Sequence, residues 1–92
     1  MSNSARAVRI RVRFGSLLQR QTNFRNTEME VPPDLEAALA RIFKTYGILW
    51  GKDLEECTGI FINRIPAIRF IREDMKLASG DTISFIPLVG GG

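Results

Sequence analysis

Between Val8 and Phe14 the chain reads Val-Arg-Ile-Arg-Val-Arg-Phe, four apolar side chains alternating with three arginines. A period of two belongs to an extended strand, whose successive side chains point to opposite sides. The chain must therefore build a sheet with one dry face and one wet face, the wet one carrying Arg9, Arg11 and Arg13. Gly15-Ser16 ends the run. A second strand is expected at Thr27 to Val31, with Met29 and Val31 on one face and Glu28 and Glu30 on the other. The polar stretch 19–26 between them reads as the loop of a long hairpin.

The dry face needs a cover, and the next segment supplies one. Pro32-Pro33-Asp34 is a helix start: the prolines restrict the entry and Asp34 can cap free N–H groups. Leu35, Ala38, Leu39, Ile42 and Tyr46 then recur at helical spacing, and Gly47 is a natural stop. An amphipathic helix over Asp34 to Tyr46 follows, with Leu35, Leu39 and Ile42 expected to bury against Ile10, Val12, Ile62 and Ile83. Residues 48–59 read as irregular, with Ile48, Leu49 and Trp50 folding back on the helix end. Ile60 to Asn63 reads as a third strand, Ile68 and Phe70 suggest a short fourth, and Thr82 to Pro87 forms the last. Two strands, a crossover helix and returning strands predict an α+β fold: a mixed sheet of about five strands with one main helix on one face.

A length of 92 residues allows one domain, 1–92, with residues 88–92 as a flexible C-terminal tail. The composition rules out most self-contained chemistry. There is no histidine, hence no imidazole base, triad or histidine metal site, and the single cysteine, Cys57, excludes a cysteine metal cluster. Cys57 itself reads as a packed or idle residue. Glu55 and Glu56 are adjacent, but sequence neighbours diverge in direction and do not make an acid–base pair. No apolar run is long enough to cross a membrane, and Met1-Ser-Asn-Ser-Ala-Arg has no signal-peptide core, so a cytoplasmic protein is expected. The net charge of +3 is uneven: the first 27 residues hold six arginines and no acid, the remainder seven basic and ten acidic residues. A basic surface of that kind attracts an acidic protein or a nucleic acid.

The sequence ends Phe85-Ile-Pro87-Leu88-Val89-Gly90-Gly91-Gly92. From average glycine usage, three glycines in a row arise by chance at about three in ten thousand, so the run is a signal. An apolar, extended lead-in followed by residues without side chains suits a tail threaded into another protein, because no Cβ obstructs the backbone. Five residues from Leu88 to Gly92 span at most about 17 Å.

The stretch from Leu77 to Gly92, with its Gly80-Asp81 turn, apolar strand, Pro87, Leu88-Val89 pair and terminal glycines, resembles the C-terminal signature of the MoaD/ThiS sulfur-carrier family. Ile60-Phe61-Ile62-Asn63 is similar to the family's central strand with its Asn-led turn, and Val8 to Phe14 to its first strand. The resemblance implies the ubiquitin-like β-grasp fold and a carrier rather than an enzyme. It also implies the chemistry of the terminus. A terminal carboxylate is ionised and a poor electrophile at neutral pH; in the family a separate enzyme uses ATP to make an acyl-adenylate on the last glycine, and sulfur then displaces AMP to leave a thiocarboxylate. Gly92 would be the reacting residue, with Gly91 keeping the approach clear, and the chain would hold no cofactor or metal of its own. The implied partners are the adenylating enzyme and a sulfur-acceptor enzyme, such as the molybdopterin synthase large subunit.

Strand parity adds a docking face. With Ile83 and Phe85 inward and Ile60 and Ile62 inward, Ser84, Ile86, Leu88 and Phe61 point outward; Phe61, Ile86 and Leu88 make an apolar patch beside the arginine row, and Val89 and Gly90 continue into the partner. The same tail would serve thiamine or tRNA thiolation, or a ubiquitin-like modifier joined through Gly92 to a lysine. A non-covalent RNA-binding module on the Arg9, Arg11 and Arg13 face is the remaining alternative, disfavoured because Phe61 is the one aromatic residue expected there.

Overall fold

The computed structural model describes residues 7–88. In chain order the elements are β1 (Val8–Phe14), α1 (Ser16–Thr22), β2 (Asn26–Val31), α2 (Leu35–Tyr46), α3 (Lys52–Cys57), β3 (Thr58–Ile62), β4 (Ile65–Pro66), α4 (Ala67–Arg72) and β5 (Thr82–Pro87). The strands form one five-stranded sheet in the order β2-β1-β5-β3-β4. β1 and β5 run parallel, whereas the other three pairings are antiparallel. The α+β architecture expected from the sequence is observed, with the first and last strands side by side.

The alternation of β1 sets the two faces. Ile10, Val12 and Phe14 are buried and the three arginines are exposed. Ile83 and Phe85 of β5 and Ile62 of β3 join the buried side, and α2 covers it with Leu35, Ala38 and Ile42. Each large aliphatic side chain removed from water here contributes about 1.5–3 kcal/mol. α2 begins as expected: the Asp34 carboxylate accepts a hydrogen bond from the Ala37 N–H at 3.1 Å. It ends at Gly47, whose φ of 65° is a left-handed conformation that favours glycine. The chain then folds back, burying Ile48 and stacking Trp50 on Phe43 with ring centroids 4.9 Å apart, whereas Leu49, expected to fold back with them, is exposed. Leu39 is a correction. It is only partly buried, and Ala38 and Ile42 take the centre of the contact, because the helix is rotated so that its small residue meets the sheet.

Four further expectations are corrected. The supposed loop at 19–26 is partly helix: α1 occupies Ser16–Thr22 and buries Leu18 and Thr22, one turn apart. Its buried pair includes a threonine and brackets Gln19-Arg20-Gln21, which hides the apolar period from the sequence. α3 lies within the segment read as irregular; it buries no residue, so no periodic stripe marks it. The stretch around Ile68 and Phe70 is α4 rather than a strand. Phe70 alone is buried, while Ile68 and Ile71 face water, so the apolar spacing there does not report a buried face. The fourth strand is Ile65–Pro66, too short to show a period. β3 starts at Thr58 rather than Ile60, since Thr58 and Gly59 pair with Pro87 and Ile86.

Candidate functional site: the outer sheet face and the tail exit

The sheet face away from α2 is assembled from three strands whose registers put small residues in the middle. Arg11 lies opposite Thr82 and Arg13 opposite Ser84 on the parallel β1–β5 pair. Across β5, Phe61 lies opposite Ser84 and Gly59 opposite Ile86. The hydroxyl residues thus form a floor between an arginine wall and the Phe61 ring, enclosing an open groove of about 580 Å³ that Arg64 and Ile86 complete.

Charge along this groove is unevenly compensated. Glu28 on β2 serves two arginines at once, its Oε1 3.2 Å from Arg9 Nε and its Oε2 3.8 Å from Arg11 Nη2. Arg13 instead faces the neutral Asn26 across the β1–β2 ladder. Among the described residues neither Arg13 nor Arg64 makes an ion pair.

The two turns singled out in the sequence meet at the head of the groove. Asn63, in a left-handed conformation with φ of 59°, donates from its Nδ2 to Asp81 Oδ1 at 3.0 Å and accepts from the Thr82 N–H at 3.0 Å. The second oxygen of Asp81 accepts from the Ala78 N–H at 2.9 Å. Gly80, with φ of 97°, turns its N–H onto the Arg9 carbonyl at 2.9 Å. The Asn-led turn and the Gly-Asp turn therefore form one clasp, which fixes where β5 begins.

At the other end of β5 the chain leaves the sheet beside β3. The Leu88 N–H donates to the Cys57 carbonyl at 2.8 Å, one hydrogen bond beyond the last strand residue. Gly59 lies bare beneath this exit: a Cβ there would come 2.8 Å from Phe61 Cε1 and 3.2 Å from Leu88 Cδ2. Gly15 serves the opposite side of the strand end, where a Cβ would collide with the Phe85 carbonyl oxygen and the Pro87 ring.

Phe61, Ile86 and Leu88 lie on this one face; Phe61 is half-buried, and Ile86 and Leu88 are 45% and 47% exposed. The remaining candidate residues, Val89, Gly90, Gly91 and Gly92, lie outside the described residues. Cys57 ends α3, partly buried, with its Sγ donating to the Asp53 carbonyl at 2.9 Å. Glu55 and Glu56 are exposed on α3. Among the described residues no group of three or more acidic, cysteine or histidine side chains could hold a metal ion, and no helix is long and apolar enough to cross a membrane. Strand parity placed Ser84 on the outer face, as observed, but sequence reasoning missed Gly15, Gly59, Thr82 and Arg64. The same parity extends to Thr82; Gly59 required knowing that β3 starts two residues earlier.

A mixed five-stranded sheet with its first and last strands parallel at the centre and one long helix across one face is a ubiquitin-like β-grasp. Solved structures share it. The small archaeal modifier protein 1 of Methanosarcina acetivorans superposes with a TM-score of 0.73 at 16% identity, over 95% of this chain and 99% of that one. A Pyrococcus furiosus protein named as a putative molybdopterin converting factor, subunit 1, gives 0.64 at 18% identity, over 89% and 99%. A Haloferax volcanii protein gives 0.71 at 18% identity, over 100% and 93%. At these identities the likeness is one of fold, and it is the fold that the C-terminal resemblance implied. No family model and no curated protein matches the sequence itself.

Proposed function

We propose that this chain is a ubiquitin-like sulfur carrier, activated at Gly92 and donating sulfur in cofactor biosynthesis, with the molybdopterin dithiolene as the first-choice product. The observation that carries the reading is the delivery of the chain at Leu88, tied to Cys57, from the central strand onto a face bearing Phe61 and Ile86. A partner seated on that face receives the Val89-Gly90-Gly91-Gly92 segment directly. The activating enzyme binds ATP; the carrier supplies no cofactor, acid or base. The carboxylate oxygen of Gly92 attacks the α-phosphorus of ATP, releasing pyrophosphate and forming an acyl-adenylate. A persulfide sulfur then displaces AMP, and a thiol reductant cleaves the resulting S–S bond to leave the thiocarboxylate. The reaction belongs to the cytoplasm, where the adenylating partner works.

A second reading keeps the adenylate and changes the acceptor. A lysine amine in place of sulfur gives an amide bond and a protein modifier, and the fold shared with an archaeal modifier protein favours keeping it. Intact mass after incubation with ATP, an adenylating enzyme and a sulfur donor separates the two. The carrier becomes about 16 Da heavier as one oxygen is replaced by sulfur, whereas the modifier appears joined to a second protein. Deleting Gly92 should abolish either product. A full-length chain that never gains sulfur overturns the carrier reading.

A further inference from the structure

The arginine groove specifies what kind of surface docks beside the tail. β1 and β5 are parallel, so the outer face changes character in one direction along them. Arg11 beside Thr82 and Arg13 beside Ser84 come first, and Ile86 and Leu88 follow toward the exit. Arg13 and Arg64 stand without an acidic partner among the described residues, on opposite walls of the same groove. Neighbouring outward side chains on β1 are about 6.6 Å apart, two residues of strand rise. An extended peptide laid along the groove repeats its own side chains at the same interval. Carboxylates on alternate residues would meet Arg13, which has no acidic partner among the described residues, and Arg11, whose contact with the exposed Glu28 is the looser of that pair at 3.8 Å.

We infer that the groove binds an extended acidic segment of a protein partner, with carboxylates at alternate positions leading into apolar residues at the tail exit. This rests on the docking face of the proposed function and adds the partner's chemistry to it. Single-stranded RNA fits less well. It needs successive aromatic platforms, and among the described residues of this groove Phe61 is the one aromatic side chain.

The test is amide chemical-shift mapping on the full chain. The probes are a synthetic Asp-Ser-Asp-Ser-Asp-Leu-Ile peptide, the same peptide with serines for the acids, one with the three acids contiguous, and a short oligouridylate. The alternating peptide should shift Arg11, Arg13, Phe61, Arg64 and Ser84, the serine peptide should not, and contiguous acids should bind more weakly. Reversing charge with Arg13→Glu and Arg64→Glu together should weaken binding at least about tenfold. The free variant's spectrum reports its fold, and Arg64→Glu alone, in the turn after β3, carries the comparison should the double variant not fold. Absent shifts, shifts on another face, affinity unchanged by charge reversal, or equal binding of contiguous acids would overturn the inference. Tighter binding of oligouridylate to the same residues would assign the groove to RNA instead. A chain that gains sulfur with its enzyme yet ignores the peptide keeps the carrier reading and loses this one. A chain that binds the peptide but never gains sulfur does the reverse.

Discussion

The two faces of the sheet come from the same strands, and the residues of one face are interleaved with those of the other. On the inner face Ile10, Val12, Ile62 and Ile83 are removed from water and packed under α2. On the outer face Arg13, Ser84 and Ile86 line an open groove, and among the described residues no element covers β1 and β5 there. Stability resides on the first face. The second is free to be composed for recognition, because its side chains remain hydrated and their replacement costs little folding energy.

Substitutions sharpen or break that contrast. The largest effect should come from Ile83→Ala, which opens a cavity under α2 and should lower unfolding free energy by about 2–5 kcal/mol in urea titrations. Leu39→Ala, on the half-buried flank of the helix, should cost less than Ile83→Ala; an equal cost would mean that the helix sits differently. Gly15→Ala comes next. Its backbone φ of −70° suits any residue, so the whole penalty is the collision with Phe85 and Pro87, about 1–3 kcal/mol by the same titration. Ile86→Asp and Leu88→Asp should be smallest in stability, within about 0.5 kcal/mol of the parent, yet both should weaken the complex with the adenylating enzyme in a pull-down or titration. An outer-face charge that unfolds the domain would erase the distinction between the faces.

The strands that alternate strictly, and the helix with a cap, an apolar stripe and a glycine stop, were legible because each is locally consistent with its tertiary role. α1, α3 and α4 were not. They bury two, none and one of their residues, and a periodicity needs several buried positions before it shows in sequence. The outward placement of Phe61, Ile86 and Leu88 followed from parity once the strands were assigned. The compensation of Arg9 and Arg11 by one glutamate, and the neutral Asn26 opposite Arg13, depend on cross-strand register, which no local pattern encodes. The Asn63–Asp81 clasp is likewise a pairing of residues eighteen apart, visible in sequence only as two separate turns.

The strand at the centre of the sheet is the last among the described residues, and its partner in the parallel pair is the first: Arg11 is in register with Thr82. Closing a contact between residues so far apart is slow, because loop entropy is lost before the contact returns any stabilisation. During synthesis, β1, β2 and α2 are therefore finished long before the strand that joins them to β3 exists. The sheet assembles as a late event, after residues 82–87 have left the ribosome. A chain that stops before Thr82 lacks the strand that joins β1 to β3 and cannot complete the sheet. Closure of the sheet therefore waits on the segment that carries β5, whatever has folded before it.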